Sequence, residues 1–265
     1  MNNTIARQLD QHAYSGTPVH RLDARVKTLA TLFFCGTVIS FPKYALASLI
    51  PFAFFPAALA IIGHVPLKPL IGAIIRTAPF AVAVGIFNPF FDRAPHLVLS
   101  GITISGGWIS FFSIIARFIL TVAAVLILVA TTPFPKLGIG LARLGLPQIF
   151  VDQLLVLYRY LFLLMEEGQT MARAATLRLN SRWMPNFRVA VEMIAMLFLR
   201  SWSRAERIYH CMEVRGFNGP LIKTVPGGFS LTDGVFLAVT IIFCLLLRLN
   251  PPHEIIGKIW LGMIQ

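Results

Sequence analysis

Residues 149–165, with the sequence IFVDQLLVLYRYLFLLM, decide how this chain is arranged. The stretch is apolar enough to cross a membrane, but nine lysines and arginines follow it between positions 168 and 223. Lysine and arginine concentrate on the cytoplasmic side of membrane proteins, so a crossing here would export all nine positive charges. We therefore predict that residues 149–165 form an interfacial or cytoplasmic helix, or half of a re-entrant pair.

The charged residues in and just after this stretch support the same conclusion. They recur every seven residues: Asp152, Arg159, Glu166 and Arg173. This spacing keeps side chains on one face of a helix. Leucines cover much of the remaining surface, so the pattern predicts an amphipathic helix with one solvated stripe.

The composition indicates a lipid environment. Of the 265 residues, 57% are hydrophobic and 13% are charged, and the mean hydropathy is +0.75. A typical soluble domain carries about 25% charged residues. The net charge is +12. In a membrane protein the common cause of such a charge is the excess of lysine and arginine on the cytoplasmic side, so no nucleic-acid partner is predicted. The N-terminal residues are polar through His20, and no cleavable signal peptide is expected.

Five stretches are predicted to span the membrane: residues 26–41, 45–63, 77–91, 109–130 and 231–249. A span needs about 20 residues, so the first and third are short. The lysines and arginines in the connections place the N-terminus in the cytoplasm. The predicted fold is an all-α polytopic membrane protein. It has an N-terminal arm (1–25), four transmembrane helices (26–130), a helical cytoplasmic domain (131–230), a last transmembrane helix (231–250) and a tail (251–265).

The cytoplasmic domain is predicted to contain two long helices. The first covers residues 148–179. The second begins after Pro185 and extends, with a bend, to Val214, where Gly216, Gly219 and Pro220 end it. Five residues on this second helix lie three or four positions apart and form a basic stripe: Arg200, Arg204, Arg207, Cys211 and Arg215.

The sequence contains no pattern typical of a catalytic or nucleotide-binding site. There is no GxxxxGK[ST] phosphate-binding loop, no catalytic constellation and no paired-cysteine motif, so no enzymatic activity, cofactor or metal site is predicted. Arg117 is the exceptional charge within a span, and we expect it to bond to backbone carbonyls. A carrier for a charged solute needs ligands near the bilayer midplane. Their absence from the sequence assigns substrate recognition to another subunit.

Three motifs resemble the transmembrane T component of energy-coupling-factor transporters, and most closely its cobalt-transporter, CbiQ type. HRLDARVK at 20–27 is similar to the family's Leu-Asp-Pro-Arg-x-Lys sequence, with Ala24 in place of proline. SFPKY at 40–44 resembles the cobalt-type sequence after the first span. RAERIYHCMEVRGF at 204–217 resembles the family's second coupling motif, a short x-Arg-Gly at a helix end.

The resemblance implies which residues couple the chain to ATPases: Arg173, Arg178, Arg204, Arg207, Val214, Arg215 and Gly216. The first motif falls in MARAATLRL at 171–179, with Leu179 where glycine is frequent in the family. Arg173 and Arg178 both remain candidates for its arginine, and the position of Arg178 at the helix end favours it. For Arg204 and Arg207 the alternative is solvation of a helix face or contact with lipid head groups.

The resemblance also implies a function. The chain would be a non-catalytic subunit of an ATP-driven importer in the bacterial inner membrane, with cobalt ion as the expected substrate. Its implied partners are ATP-binding cassette ATPase subunits, a separate substrate-binding membrane (S) subunit and membrane lipid. The alternatives are the same role in a nickel or vitamin importer, and after these a self-sufficient secondary carrier.

Overall fold

The computed structural model describes residues 18–42, 46–88, 95–99, 102–178, 187–217 and 230–249. The predicted tail, most of the N-terminal arm, and Leu179, Gly219 and Pro220 lie outside these residues. The described helices are α1 (Pro18–Arg21), α2 (Ala24–Ile39), α3 (Leu46–Leu49), α4 (Phe54–Ile62), α5 (Leu67–Gly85), α6 (Gly106–Thr131), α7 (Phe134–Arg143), α8 (Gln148–Arg178), α9 (Phe187–Val214) and α10 (Leu231–Leu249). An antiparallel hairpin, β1 (Pro95–Leu99) with β2 (Ile102–Ser105), precedes α6.

The all-α polytopic membrane architecture is confirmed. In the described part of the chain, four helices are long and apolar enough to cross a membrane: Leu67–Gly85, Gly107–Thr131, Gln148–Arg178 and Leu231–Leu249. Another apolar segment, Ile50–Ile62, is shorter than these four helices. Large apolar side chains point outward, among them Ile61 and Phe80, which are 72% and 74% exposed. Such a surface is typical of a protein whose solvent is lipid.

Three of the predicted spans differ from the observed helices. Helix α2 has 16 residues, too few for a straight crossing. The predicted span 45–63 is divided into α3, a 3-10 turn at Ile50–Ala53 and α4. Pro51 lies at the start of that turn, where its missing N–H and its ring interrupt an α-helix. The predicted span 77–91 instead begins at Leu67, so Lys68 and Arg76, assigned to a connection, lie on α5.

The placement of residues 149–165 stays a prediction. They form the first half of α8, which meets the length and composition criteria for a span. The predicted solvated stripe is correct at Arg159, Glu166 and Arg173, which are exposed. It is wrong at Asp152, which is only 8% exposed.

The chain divides into two compact units, residues 1–140 with 226–265, and residues 141–225. In the first unit, which we call the membrane unit, α2 packs against α6 and α10, and α5 packs against α6. Its core is aromatic. Phe34 stacks on Phe55 with ring centroids 4.6 Å apart, and Phe41 meets Phe52 edge-on at 5.3 Å. The geometry of these ring pairs stabilises the packing beyond the area that they bury.

Arg117, on α6, has a structural role. Its Nη2 donates a hydrogen bond of 2.7 Å to the backbone oxygen of Pro42, which follows α2. This contact confirms the expected bond between the arginine and a backbone carbonyl. An arginine within a span is tolerated when it faces protein groups of this kind.

A buried lysine joins the start of α2 to the end of α6. Lys27 is 4% exposed, and its Nζ donates 3.0 Å hydrogen bonds to the backbone oxygen of Thr131 and to Thr132 Oγ1. Thr131 is the last residue of α6, where backbone carbonyls lack a partner within the helix. The ammonium therefore caps the end of α6, and the negative end of the helix dipole favours its charge.

Two aspartates extend this polar contact to α10. Asp23 caps α2 by accepting from the backbone N–H of Arg25, and its own N–H donates to Asp233 Oδ1 at 3.0 Å. Asp233, 4% exposed, also accepts from the backbone N–H of Ser230 at the start of α10. We call Asp23, Lys27, Thr131, Thr132 and Asp233 the polar node. It fixes the starts of α2 and α10 and the end of α6 relative to one another.

Replacement of Lys27 by methionine should destabilise the membrane unit. The substitution leaves the two threonine acceptors buried without a donor, at a cost of about 1–3 kcal/mol each. Lys68→Met is the matched control, because Lys68 is exposed. We expect Lys27→Met alone to lower the melting temperature of the full-length protein in detergent, by roughly 2–4 °C per kcal/mol. Equal melting temperatures for the two variants would contradict the assigned role.

Candidate functional site

The second unit, which we call the helical unit, consists mainly of α8 and α9. Helix α8 ends one residue before its predicted limit of 179, and α9 ends at Val214 as predicted. The two helices pack against each other. All seven residues assigned to the coupling motifs lie on these helices or directly after α9.

The end of α9 forms an exposed tip with a defined cap. The N–H of Phe217 donates to the oxygen of Met212 at 3.0 Å, and the N–H of Gly216 donates to the oxygen of Glu213 at 2.9 Å. These are the two hydrogen bonds of a Schellman motif. Gly216 has φ +72°, a left-handed conformation that favours glycine, and it therefore stops the helix directly after Arg215.

The side chains at this tip face outward. Val214 is 88% exposed, Phe217 is 43% exposed, and Arg215 is exposed between them. An exposed valine is costly in water, and a basic residue beside exposed apolar groups is typical of protein interfaces. The planar guanidinium of Arg215 can pair with a carboxylate through two parallel hydrogen bonds.

Helix α8 ends at the other candidate arginines. Arg178 is its last residue, and Arg173 lies five positions earlier. Both side chains are exposed. Five residues turn a helix by about 140° beyond a full turn, so the two arginines lie on different faces. Only Arg178 occupies the helix end, where the helix dipole favours a positive charge.

One carboxylate holds α8 and α9 together. Glu167 of α8 lies 3.0 Å from Arg204 Nη2 and 3.4 Å from Arg200 Nη1, both on α9. The side chains of Glu167 and Arg204 are 18% and 29% exposed, so water screens their attraction only in part. Arg200 and Arg204 therefore act within the helical unit. We call these three residues the carboxylate clamp.

The clamp divides the predicted basic stripe of α9. Arg204, Arg207 and Arg215 line one groove of about 430 Å³, together with Ile208, Cys211 and Met212. Arg207 and Arg215 have no carboxylate partner among the described residues. Arg173 and Arg178 do not line this groove. The structure thus brings three of the five candidate arginines together and leaves two of those three free to bind an anion.

Glu167 was not predicted from the sequence. The seven-residue pattern drew attention to Glu166, which is exposed, whereas its neighbour faces α9. The pair Glu166-Glu167 was the available signal, since one of two adjacent glutamates on an amphipathic helix lies nearer the buried face. In the described ranges, no group of three or more His, Cys, Asp or Glu side chains could hold a metal ion.

Several known proteins resemble this chain. Residues 15–225 match the family described as CbiQ, cobalt transport protein. The chain is 29% identical over 153 residues to the cobalt transport protein CbiQ of Salmonella typhimurium, and this alignment covers 53% of this chain and 68% of that protein. It is 30% identical over 249 residues to the energy-coupling factor transporter transmembrane protein EcfT of Limosilactobacillus fermentum, covering 86% of this chain and 91% of the relative. It is also 29% identical over 116 residues to the nickel permease LarQ of Lactiplantibacillus plantarum, covering 44% of this chain and 42% of that relative.

A double-mutant cycle on Glu167→Gln and Arg204→Gln should reveal coupling between α8 and α9. For a pair this shielded from water we expect an interaction free energy of about 1 kcal/mol in denaturant unfolding of the full-length protein. Arg188 and Glu192 provide the control cycle, since their side chains are 90% and 65% exposed and lie on one helix. The control should show no measurable coupling. Additive effects in both cycles would remove the clamp as a link between the helices.

Proposed function

The chain belongs to the CbiQ family of cobalt transport proteins, and from this premise we propose that it couples ATP hydrolysis on partner subunits to uptake of a small solute. It is a multi-pass membrane component of an energy-coupling factor transporter. In the proposed assembly, ATP-binding cassette ATPases dock on the helical unit, and a separate substrate-binding membrane subunit contacts the chain within lipid. The chain has no catalytic role of its own in this proposal.

The exposed tip of α9 carries the proposal. Arg215 is exposed at a capped helix end beside Val214, and both lie within the stretch that matches the family. A docking partner with a carboxylate in an apolar groove would satisfy both side chains. Arg178 at the end of α8 offers a second contact of the same chemistry. We assign the docking contacts to Arg178 and Arg215, with Arg173, Arg207, Val214 and Gly216 flanking them.

The clamp supplies the mechanical part of the proposal. Helices α8 and α9 have 31 and 28 residues, which at about 1.5 Å rise per residue makes each more than 40 Å long. A displacement at either docking tip is transmitted along a helix if the pair moves as one body. Glu167 holds the two helices together through Arg200 and Arg204. We therefore assign Arg204 to the contact that makes α8 and α9 move as one body, and not to the docking surface.

We propose Co²⁺ as the substrate. The matched family and the Salmonella relative are both named for cobalt transport. Ni²⁺ is the second candidate, because a relative is named a nickel permease. A vitamin is the third, and the separate substrate-binding subunit would make the choice in each case. In a bacterial inner membrane the N-terminus and the helical unit would face the cytoplasm, consistent with the arginines of the helical unit.

Removal of either tip arginine should uncouple transport. The full transporter is purified through an affinity tag on this chain, its subunits are identified by mass spectrometry, and it is reconstituted for ATP-driven uptake of radiolabelled Co²⁺ or Ni²⁺. Loss of one partner of a buried charge pair costs about 2–5 kcal/mol, so Arg215→Ala and Arg178→Ala should reduce uptake at least about tenfold.

Arg188→Ala is the control for this experiment, because Arg188 lies at the opposite end of α9 and is 90% exposed. Its uptake should equal that of the unmodified protein. Unchanged uptake with Arg215→Ala would contradict the docking role. Uptake by this chain alone in liposomes, without ATPase subunits, would instead establish a self-sufficient carrier.

The native cysteines test the side on which the helical unit lies. Cys211, on α9, is exposed, whereas Cys244 is buried. A membrane-impermeant maleimide should therefore label Cys211 in inverted vesicles and leave it unlabelled in right-side-out vesicles, with Cys211→Ser as the blank. Labelling from the outside would place α9 on the outer side and would contradict the proposed orientation of the helical unit.

A further inference from the structure

We propose that the cleft between α8 and α9 binds one anionic phospholipid, with an acyl chain in its apolar part and the phosphate on Arg204 and Arg207. The proposal concerns a ligand of the helical unit in the chain without docked subunits, because Arg207 also flanks the proposed docking contacts. It rests on two adjoining grooves with opposite chemistry.

The first groove is apolar and has a volume of about 280 Å³. It lies between the helices, with Val156, Tyr160 and Leu164 from α8 and Ala205, Ile208 and Tyr209 from α9. A sphere of this volume is about 8 Å across, narrower than the 10–12 Å of a helix with its side chains. The space suits a single hydrocarbon chain, whereas a whole helix is too wide to enter it.

The second groove is basic and continues from the first. Arg204, Ile208 and Met212 line both grooves, so the apolar and basic surfaces meet at these residues. An anionic amphiphile is the ligand class that matches an apolar groove opening into a basic one. The phosphate of a phospholipid supplies several strong acceptors for guanidinium donors.

The two arginines have donors to spare. Arg204 uses Nη2 to hold Glu167 at 3.0 Å, while its buried Nη1 has no acceptor among the described residues. A buried donor without an acceptor requires an explanation. Nη1 is closed to solvent, so it reaches a phosphate in the groove only after the guanidinium turns towards that groove. Arg207 is exposed and has no described carboxylate partner.

The nearby carboxylates on α9 are directed elsewhere. Glu206 accepts from Trp202 Nε1 at 2.8 Å, and Glu213 lies 3.5 Å from His210 Nδ1. Glu167 faces Arg200 and Arg204. The groove around Arg207 therefore keeps a positive charge.

The surroundings are typical of a membrane surface. Trp202 and Tyr209 on α9 are 58% and 61% exposed, and such aromatic side chains favour the depth of lipid head groups. The cytoplasmic leaflet carries anionic lipids, and basic pockets between helices on that side bind their head groups. These features favour a phospholipid over a free phosphate ion, which would leave the apolar groove empty.

Native mass spectrometry of the full-length protein, released from nanodiscs, tests the proposal. The nanodiscs contain equal amounts of phosphatidylglycerol and phosphatidylcholine. We expect the protein to retain one phosphatidylglycerol and no phosphatidylcholine. Arg207→Gln should lower the retained fraction at least about tenfold, as expected for loss of a charge-assisted contact, and Arg188→Gln should not.

A second variant tests the apolar groove. Ala205→Trp fills it without changing any charge and should also abolish retention, with a circular dichroism spectrum confirming that the helices remain. Equal retention of the two lipids, or equal effects of Arg207→Gln and Arg188→Gln, would overturn the proposal. Displacement by millimolar inorganic phosphate without any effect of Ala205→Trp would show a simple anion site. Loss of the lipid on assembly with partner subunits would assign the cleft to a protein.

Discussion

The membrane unit depends on a charge that the protein buries and holds with local hydrogen bonds. The ammonium of Lys27 is nearly inaccessible, and a buried charge is tolerated only where several groups solvate it. Thr131 and Thr132 do so from a region more than 100 positions away in the chain, and Asp23 meets Asp233 from a third region. Close packing accompanies the node. A Cβ at Gly140, on α7, would lie 3.2 Å from the backbone nitrogen of Arg25, so any larger residue there would require the start of α2 to shift by a few tenths of an ångström. The motif before the first span therefore organises three distant segments.

Much of this fold could be predicted from the sequence, and the successes share a physical cause. Helices α8, α9 and α10 begin and end within about two residues of their predicted limits because proline, glycine and helical periodicity act locally. The family inferred from the motifs is confirmed for the same reason, since those motifs are short and contiguous. The failures concern spans predicted from hydropathy alone. An apolar run from 45 to 63 does not reveal that Pro51 turns the chain through a 3-10 segment. Nor did hydropathy reveal that the helix predicted from position 77 begins ten residues earlier, at Leu67.

The candidate site was predictable in its residues but only in part in its contacts. Periodicity identified the arginines of α9 as one stripe, yet it treated them as equivalent. In the structure, the arginines differ in whether they face a carboxylate on α8. The position of α8 relative to α9 cannot be predicted from a local sequence pattern. Arg200 and Arg204 meet Glu167, whereas Arg207 and Arg215 meet no described carboxylate. Asp152 was misplaced for the same reason, because burial depends on what packs over a helix face and not on its spacing along the chain.

This separation explains how one arginine-rich helix can serve two purposes. A guanidinium that is paired inside the protein stiffens the structure, and the donor that faces its carboxylate partner is occupied by that pair. A guanidinium that is left free at a capped end keeps its full capacity for a partner, and the αL conformation of Gly216 holds it at the tip. The stiff part and the binding part must be joined without a flexible segment if a force at the tip is to reach the body of the protein. Only about three helical turns separate Arg204 from Arg215, and they are continuous α-helix up to Val214. The arrangement of α9 therefore meets the mechanical condition for a coupling element.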